Sequence, residues 1–226
     1  MKTPYILWDW NGTLLDDTQA GLDTFNLMLA RRGKNPISLS YYRDHFAFPV
    51  KPFYAEIGFD LPHEDWNAIA REYHETYATF KPHLNRGTFS ALEFLKSKGI
   101  GQSIISALRQ DLLEKETTAH DVAPFMEFIR GTDNLNGSSK LDRARELLTE
   151  IRRAHPTNDF AFTLIGDSLH DGEVAAALGI ACIYCAEGTH SFARLSADGP
   201  TVATLPEAIT LALTRLAPKE EKCRGD

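Results

Sequence analysis

The chain has 226 residues, of which 43% are hydrophobic and 24% are charged, and its formal net charge is −7. These proportions are ordinary for a globular protein and argue against a disordered or fibrous chain. The acidic balance disfavours general binding to nucleic acid or to anionic membranes, so we expect neither partner.

The sequence has no run of apolar residues long enough to cross a bilayer, and residues 1–4 lack the zones of a signal peptide. We therefore expect a cytoplasmic protein. The three cysteines, Cys182, Cys185 and Cys223, form no paired framework, which agrees with a reducing compartment. Cys182 and Cys185 are three residues apart in a predicted strand, so we interpret them as structural thiols that point to opposite faces.

An apolar run near the start of the chain, Tyr5 to Trp8, ends on a carboxylate. Aromatic and branched residues in succession suit a strand that is buried on both faces of a parallel sheet. Asp9 would then lie at the carboxyl end of that strand, the edge where open α/β sheets bind ligands. Gly12 permits a sharp turn directly afterwards.

Helical periodicity dominates the next part of the chain. We predict a first helix to about Arg32, ended by Gly33, and then helices over 40–48, 52–57 and 63–80. Trp66, Ile69 and Tyr73 recur at helical spacing in the last of these, which indicates core packing.

From Arg86 onwards, helices alternate with short apolar strands, a pattern typical of a parallel sheet with right-handed crossovers. The predicted strands cover 102–106, 128–131, 162–167, 180–185 and 201–204, and the predicted helices cover 89–98, 110–119, 138–154, 171–178 and 206–216. We therefore predict an α/β fold in which the first strand joins this later unit and the helical block is an insertion.

Polar residues follow three of these apolar strands or begin the helices after them. Ser106 ends Ser103-Ile-Ile-Ser106, and Lys140 follows Gly137-Ser-Ser at the start of a helix. A lysine there suits a bound anion better than the helix dipole alone. Asp167 and Asp171 lie in Leu164-Ile-Gly-Asp-Ser-Leu-His-Asp171. Carboxylates converging with Asp9 would repel one another unless a cation such as Mg²⁺ lay among them.

In chain order, these features resemble the haloacid dehalogenase superfamily, in particular its phosphoglycolate phosphatase-like branch. The motifs that carry the resemblance are Asp9-Trp-Asn11-Gly-Thr13, Ser106, Lys140 and Gly166-Asp-Ser-Leu-His-Asp171. The resemblance implies a Rossmann-like core with a central parallel sheet, formed by residues 1–15 and 84–226. It implies that residues 16–83 form an inserted α-helical cap.

The resemblance also implies a hydrolase that acts on a small phosphorylated substrate through an aspartyl phosphate on Asp9. In this interpretation Mg²⁺ is held by Asp9, the backbone carbonyl of Asn11 and Asp167. Ser106 and Lys140 would bind the phosphoryl oxygens. Asp171 would orient the metal site and Lys140 from behind the ligands.

Asn11 departs from the superfamily pattern, because members that hydrolyse phosphate esters usually have an acid at this position. An amide donates a hydrogen bond but cannot transfer a proton. Loss of this acid leaves three alternatives open. The first is a phosphatase weakened on esters, for which His170 is the nearest candidate acid. The second is a non-catalytic phosphate-ligand or partner-binding module, and the third is an enzyme like phosphonoacetaldehyde hydrolase that uses Lys51 in the cap. Neither the substrate nor the choice between monomer and homodimer follows from the sequence.

Overall fold

The computed structural model describes residues 2–133 and 140–216. Its centre is a six-stranded sheet, ordered β5-β4-β1-β6-β7-β8, in which every neighbouring pair is parallel. The strands are β1 (Thr3–Trp8), β4 (Gly101–Arg109), β5 (Ile129–Thr132), β6 (Phe160–Gly166), β7 (Ala181–Cys185) and β8 (Thr201–Val202). This architecture confirms the predicted α/β fold with the first strand at its centre.

Strand β1 is central because both of its faces are apolar. Ile6 and Trp8 pack in one buried cluster, and Tyr5 and Leu7 pack in a second cluster on the opposite face. Alternate side chains of a strand point to opposite faces, so each cluster takes one half of the run. The two neighbours of β1 are β4 and β6, and this places three strand ends side by side at one edge of the sheet.

Helices cover the two faces of the sheet. They are α5 (Thr88–Ser97), α6 (Gln110–Ala119), α7 (Lys140–Ala154), α8 (Leu169–Leu178), α9 (Phe192–Ser196) and α10 (Leu205–Leu216). The short helix α9 and a 3₁₀ turn over Ala123–Phe125 were not predicted, since neither is long enough to complete a helical pattern. Ser138 and Ser139, the predicted start of α7, lie outside the described residues.

Four further helices are inserted between β1 and β4. These inserted helices are α1 (Thr18–Arg31), α2 (Leu39–His45), α3 (Lys51–Glu56) and α4 (Trp66–Tyr77). They have their own buried cluster, in which the ring of Phe25 lies 5.2 Å from Phe53 and 5.0 Å from Tyr54 between centroids. The aromatic periodicity of α4 thus serves packing in part, although Tyr73 and Trp66 are only partly buried against that cluster.

A two-stranded antiparallel ribbon joins the inserted helices to the sheet. It consists of β2 (Leu15–Asp16) and β3 (His83–Leu84), in which Leu15 pairs with Leu84. The sequence did not predict this ribbon, because two residues are too few to display alternation. The ribbon brings the start and the end of the insertion together at the edge of the sheet that carries Asp9.

Three predicted boundaries differ from the structure in ways that affect the site. Strand β4 continues past Ser106 to Arg109, and its pairing with β5 shifts register between Ile105 and Arg109. Helix α8 begins at Leu169, so Asp171 lies in its first turn. Helix α4 is shorter at both ends than the predicted 63–80.

The two described cysteines are both free, as predicted for structural thiols. Cys185 is buried, and burial raises the pKa of its thiol to about 12. Burial also raises the pKa of Cys182. Thiols with raised pKa values are poor nucleophiles and poor metal ligands. Cys223 lies outside the described residues. Within 2–133 and 140–216, no helix combines the length and apolar content needed to span a membrane.

Two arginines join the inserted helices to the loop after β7 by reciprocal contacts with backbone carbonyls. Arg43 of α2 donates to the carbonyls of Glu187 and Gly188, both at 3.1 Å. Arg194 of α9 donates in the opposite direction, to the carbonyl of Phe46 at 2.7 Å and that of Arg43 at 3.3 Å. These contacts hold α2 against the loop that precedes α9.

His190 makes a third connection between the same two parts. Its Nδ1 accepts a hydrogen bond from the backbone N–H of Leu169 at 3.0 Å, and its Nε2 donates to the carbonyl of Phe46 at 2.8 Å. One nitrogen accepts and the other donates, so the ring must be neutral. The side chain is buried, and burial followed by the charge of Arg194 lowers the pKa of His190 to about 4.

We expect this histidine to make stability fall as the pH decreases from about 6.5 to 4. The unfolded chain, with a histidine pKa of about 6.5, binds the proton more readily than the folded chain in this interval. This loss of unfolding free energy is complete at pH values below the pKa of His190 in the folded chain. It should approach roughly 3 kcal/mol. The free energy of unfolding, measured with urea between pH 7.5 and 4, should fall more steeply for the wild type than for His190→Gln. Parallel pH curves would contradict the assignment.

Candidate functional site

The carboxyl ends of β1, β4 and β6 bring three predicted site residues to one edge of the sheet. Asp9 directly follows β1, Asp167 directly follows β6, and Ser106 lies at the register shift of β4 between them in the chain. All three are buried and line one cavity together with Lys140. Parallel strands end at the same edge, so this convergence follows from the strand order.

Lys140, the first residue of α7, connects two of the carboxylates. Its Nζ donates to Oδ1 of Asp9 at 2.5 Å and to Oδ1 of Asp171 at 2.6 Å. The lysine side chain is only 3% exposed, so these ion pairs are shielded from solvent screening. No described residue donates a hydrogen bond to the other oxygen of Asp9, Oδ2.

Asp171 is held by contacts at both of its oxygens. Oδ1 accepts from Lys140, and Oδ2 accepts from the backbone N–H of Ser168 at 3.1 Å and from its hydroxyl at 2.7 Å. The bond from the backbone N–H of Ser168 belongs to a capping box at the start of α8. Asp171 therefore positions Lys140 and fixes the loop that carries Asp167. These contacts are those expected of a residue that orients the site without itself binding the metal.

Asp167 lies in a narrow space between two glycines. A Cβ at Gly12 would come 2.1 Å from Oδ2 of Asp167, and one at Gly188 would come 2.3 Å from the same atom. The carboxylate accepts from the hydroxyl of Thr13 at 3.1 Å and from the backbone N–H of Thr189 at 2.5 Å. Gly12 also has a positive φ of 74°, so a side chain there would be unfavourable on both counts.

The charges of this cluster do not balance. Burial raises the pKa of Asp9 well above its usual range, although the charge of Lys140 opposes the shift. Burial and then the charge of Asp171 raise the pKa of Asp167 to about 6. Burial has the opposite effect on Lys140, but the charges of Asp171 and Asp9 outweigh it and raise the lysine pKa. Lys140 similarly outweighs burial at Asp171, whose pKa is lowered. One ammonium group thus faces three carboxylates.

The donor set fits a divalent cation that prefers oxygen ligands. Carboxylate oxygens of Asp9, Asp167 and Asp171 lie within 4.8 Å of one another, and all three residues are buried. Asp171 accepts three hydrogen bonds, whereas Asp167 accepts two and Asp9 one, so Asp9 and Asp167 have the greater remaining capacity for a metal ion. Two carboxylates with space for water and a substrate oxygen are the usual environment of Mg²⁺ in proteins.

Asn11 is turned away from the cluster of carboxylates and towards a residue that sequence reasoning left unassigned. Its amide donates to Oδ2 of Asp17 at 2.7 Å. Asp17 also accepts from the backbone N–H of Gly12 at 2.7 Å and from the hydroxyl of Tyr77 at 2.7 Å. Burial raises the pKa of Asp17, and the hydrogen bonds from Tyr77, Asn11 and Gly12 oppose the shift.

Asp17 is thus a missed site residue, and it couples two parts of the molecule. It precedes α1, while Tyr77 is the last residue of α4. The carboxylate therefore joins the loop after Asp9 to both ends of the inserted helices. The sequence carried one signal, an acid in the turn after the first motif, but the spacing of six residues from Asn11 does not reveal the contact.

Of the two other predicted candidates, Lys51 lies outside the cavity and His170 lies in it. Lys51 is exposed, and its Nζ lies over the ring of Trp66, 4.9 Å from the centroid. It is not among the residues that line the cavity. His170 does line the cavity, where its ring stacks on Phe48 with 5.0 Å between centroids. No described residue hydrogen-bonds to its buried Nε2 atom.

The cavity lies between the edge of the sheet and the inserted helices and has a volume of about 180 Å³. One end carries the predicted site residues. The opposite wall is formed mainly by aromatic side chains of the insertion, namely Tyr42, Phe46, Phe48, Tyr54, Trp66, Tyr73 and Tyr77. A polar end and an apolar wall in one cavity are typical of a small-molecule site.

Comparisons with known proteins agree with this geometry. A 5'-nucleotidase of Pseudomonas aeruginosa is 28% identical over 208 residues, which cover 89% of this chain and 90% of that protein. A predicted phosphatase of Clostridium acetobutylicum has a similar structure, with a TM-score of 0.74, 19% identity and coverage of 95% of this chain and 100% of that one. A predicted phosphoglycolate phosphatase of Haemophilus somnus also has a similar structure, with a TM-score of 0.71 and 14% identity. The match covers 93% of this chain and 98% of that one.

The sequence model of the haloacid dehalogenase-like hydrolase family matches residues 6–185. This interval begins within β1 and ends with β7, so it includes Asp9, Ser106, Lys140 and Asp167. The resemblance drawn from the four motifs is therefore confirmed. The chain belongs to the haloacid dehalogenase-like hydrolase family.

Proposed function

We propose that the chain is a Mg²⁺-dependent phosphatase of small phosphorylated metabolites that works through an aspartyl phosphate on Asp9. The observation that carries this proposal is the placement of Lys140, which contacts Asp9 and Asp171 while Asp167 lies beside them. A nucleophile, a fixed cation and a pair of metal-binding carboxylates are the groups that phosphoryl transfer requires. Residues 16–83 would act as the cap over this site.

Each residue would have one task in the reaction. A carboxylate oxygen of Asp9 attacks phosphorus, and the ester oxygen leaves with the electron pair of its bond. Water then hydrolyses the aspartyl phosphate and restores the carboxylate. Lys140 holds Asp9 in position and, with the hydroxyl of Ser106, binds phosphoryl oxygens.

Asp9, the backbone carbonyl of Asn11 and Asp167 would hold Mg²⁺, with Asp171 fixed behind them. When bound, the ion offsets the repulsion between the carboxylate and the phosphate and neutralises charge on the transferred group. Because the cluster holds three carboxylates and one ammonium group, a divalent ion would also balance its net charge.

Asn11 determines which substrates can react at a useful rate. Its amide is committed to Asp17 and has no proton to transfer, so a leaving group would depart without general acid assistance from position 11. Such assistance contributes about 10²- to 10⁴-fold. Compounds with good leaving groups are therefore the favoured substrates. The same feature supports the second candidate function, a module that binds a phosphorylated ligand without turning it over.

Asp9→Asn tests the enzyme against the binding module. With Mg²⁺ present, we expect the wild type to release phosphate from acetyl phosphate and p-nitrophenyl phosphate, and the variant to fall to the background rate because an amide does not attack phosphorus. Chelation with EDTA should have the same effect on the wild type, and added Mg²⁺ should reverse it. Circular dichroism of the variant controls for folding. Wild-type turnover no greater than that of the variant would favour the binding module.

Exchanging the side chains of Asn11 and Asp17, which hydrogen-bond to each other, tests the role of Asn11. The single change Asn11→Asp would place a second carboxylate at hydrogen-bond distance from Asp17, where two charges repel, so we expect reduced thermal stability. In the double variant Asn11→Asp/Asp17→Asn, the amide at position 17 would donate the hydrogen bond and the carboxylate at position 11 would accept it. We expect it to hydrolyse ethyl phosphate about 10²-fold or more faster than the wild type. Asp17→Asn alone is the matched control.

Acetyl phosphate separates this effect from a general change in the site. Its leaving group needs little protonation, so its rate should change far less than that of ethyl phosphate in the double variant. An unchanged rate with ethyl phosphate, in a double variant that folds, would remove Asn11 as the limiting defect.

A further inference from the structure

We propose that the substrate is an aryl phosphate monoester whose aromatic group carries no charge. This inference rests on the proposed function and specifies the part of the substrate that leaves. It follows from the walls, the charge and the size of the cavity, together with the side chain at position 11.

The wall that faces the phosphoryl end offers rings to the leaving group. Phe48 lies against His170 in the first turn of α8, with centroids 5.0 Å apart, and therefore borders the phosphoryl end directly. Tyr73 and Tyr77 continue the wall as a nearly parallel pair, with centroids 6.1 Å apart and an interplanar angle of 14°. Gly21 lies beside these rings, where a Cβ would come 3.2 Å from the hydroxyl of Tyr42 and 3.6 Å from that of Tyr73. Aromatic side chains bind a flat ring better than an aliphatic group of equal size.

The charge of the cavity excludes a second anionic group on the substrate. Among the described lining residues, Lys140 is the only lysine or arginine, and its ammonium group already contacts two carboxylates. A carboxylate on the leaving group would be desolvated among rings with no lysine or arginine partner among the described lining residues, which is costly. A carboxylate-bearing substrate such as phosphoglycolate is therefore disfavoured.

The cavity has room for a leaving group of about one ring next to the phosphoryl end. Its volume is about 180 Å³, including the phosphoryl end. An apolar cavity of roughly 150 Å³ binds benzene. A phenyl group with its phosphate therefore matches the size of the space.

Two unpaired polar atoms in the cavity indicate that the ring can carry a hydroxyl or amide substituent. The hydroxyl of Thr18 is buried, belongs to a lining residue and has no hydrogen-bond partner among the described residues. Nε2 of His170 is in the same condition. Unpaired buried polar atoms are rare, and a polar group on the substrate would satisfy them.

Asn11 supports an aryl ester independently of the cavity walls. A phenol has a pKa of about 10, as tyrosine does, so phenolate can leave without protonation. In the reaction, an oxygen of Asp9 forms the bond to phosphorus, the bond from phosphorus to the aryl oxygen breaks with its electron pair on that oxygen, and phenolate later takes a proton from water. An aliphatic alkoxide, whose conjugate acid has a pKa nearer that of water at about 15.7, would need the acid that this site lacks.

The test measures binding of phosphonates, which are not hydrolysed and in which a methylene group replaces the ester oxygen. Benzylphosphonate replaces phenyl phosphate, and cyclohexylmethylphosphonate, 4-carboxybenzylphosphonate and ethylphosphonate serve as matched probes. Titration calorimetry uses the wild-type protein with Mg²⁺. We expect benzylphosphonate to bind about 2- to 10-fold more tightly than the cyclohexyl compound. It should also bind at least about tenfold more tightly than the carboxylated compound.

Two variants locate the effect at the aromatic wall. Phe48→Leu and Tyr73→Leu should each reduce the preference for benzylphosphonate over cyclohexylmethylphosphonate. Phe94→Leu is the matched control, because Phe94 is 43% exposed on α5 and does not line the cavity. It should keep the wild-type preference. Thermal melts identify any variant that fails to fold, and Phe48, on a partly exposed loop, is the safer of the two.

The outcomes distinguish this inference from the proposed function. Equal or tighter binding of the cyclohexyl or carboxylated compound would overturn the aryl assignment, even if acetyl phosphate is hydrolysed. Tighter binding of adenosine 5'-monophosphate to Asp9→Asn than of benzylphosphonate to the same variant would overturn it in favour of a nucleotide. The expected order of phosphonates without turnover of any ester or acetyl phosphate would leave the binding preference intact and refute the phosphatase.

Discussion

The buried contact between Lys140 and two aspartates is the interaction on which the rest of the site depends. Three carboxylates at the end of a sheet would repel one another, and burial makes this repulsion stronger. One ammonium group reduces it and also sets the position of Asp9 and Asp171. Such a buried ion pair is costly to desolvate, so its value here is the fixed geometry and not a gain in stability.

The sheet supplies the precision that this contact requires. β1 lies between β4 and β6, so Asp9, Ser106 and Asp167 leave neighbouring strands at the same edge. The register shift in β4 lets that strand continue past Ser106 while the hydroxyl stays in the cavity. Glycines at 12 and 188 leave the space that the Asp167 carboxylate occupies. Each of these features acts on position, and none requires a flexible element.

The sequence predicted the parts of the fold that have strong periodicity and the residues that have strong motifs. Short apolar segments predicted every strand of the sheet. The carboxylates that follow the first strand and end the strand at 162–167 identified the edge where Asp9 and Asp167 meet. The ribbon of β2 and β3 and the helix α9 were missed because each is too short for a pattern. Asp17 and His190 were missed for a different reason: each acts through contacts between segments distant in the chain, which spacing does not encode.

Asp17 has a consequence for how the inserted helices could be exchanged between proteins of this architecture. The carboxylate belongs to the junction before α1, yet it accepts hydrogen bonds from the backbone N–H of Gly12 and the amide of Asn11 near Asp9. Its third donor, Tyr77, comes from the far end of the insertion. A chimaera that replaced residues 18–77 with helices lacking a tyrosine at that end would lose this hydrogen bond. The turn next to Asp9 would then lose a contact although none of its own residues had changed, so Tyr77 has to be kept when the helices are exchanged.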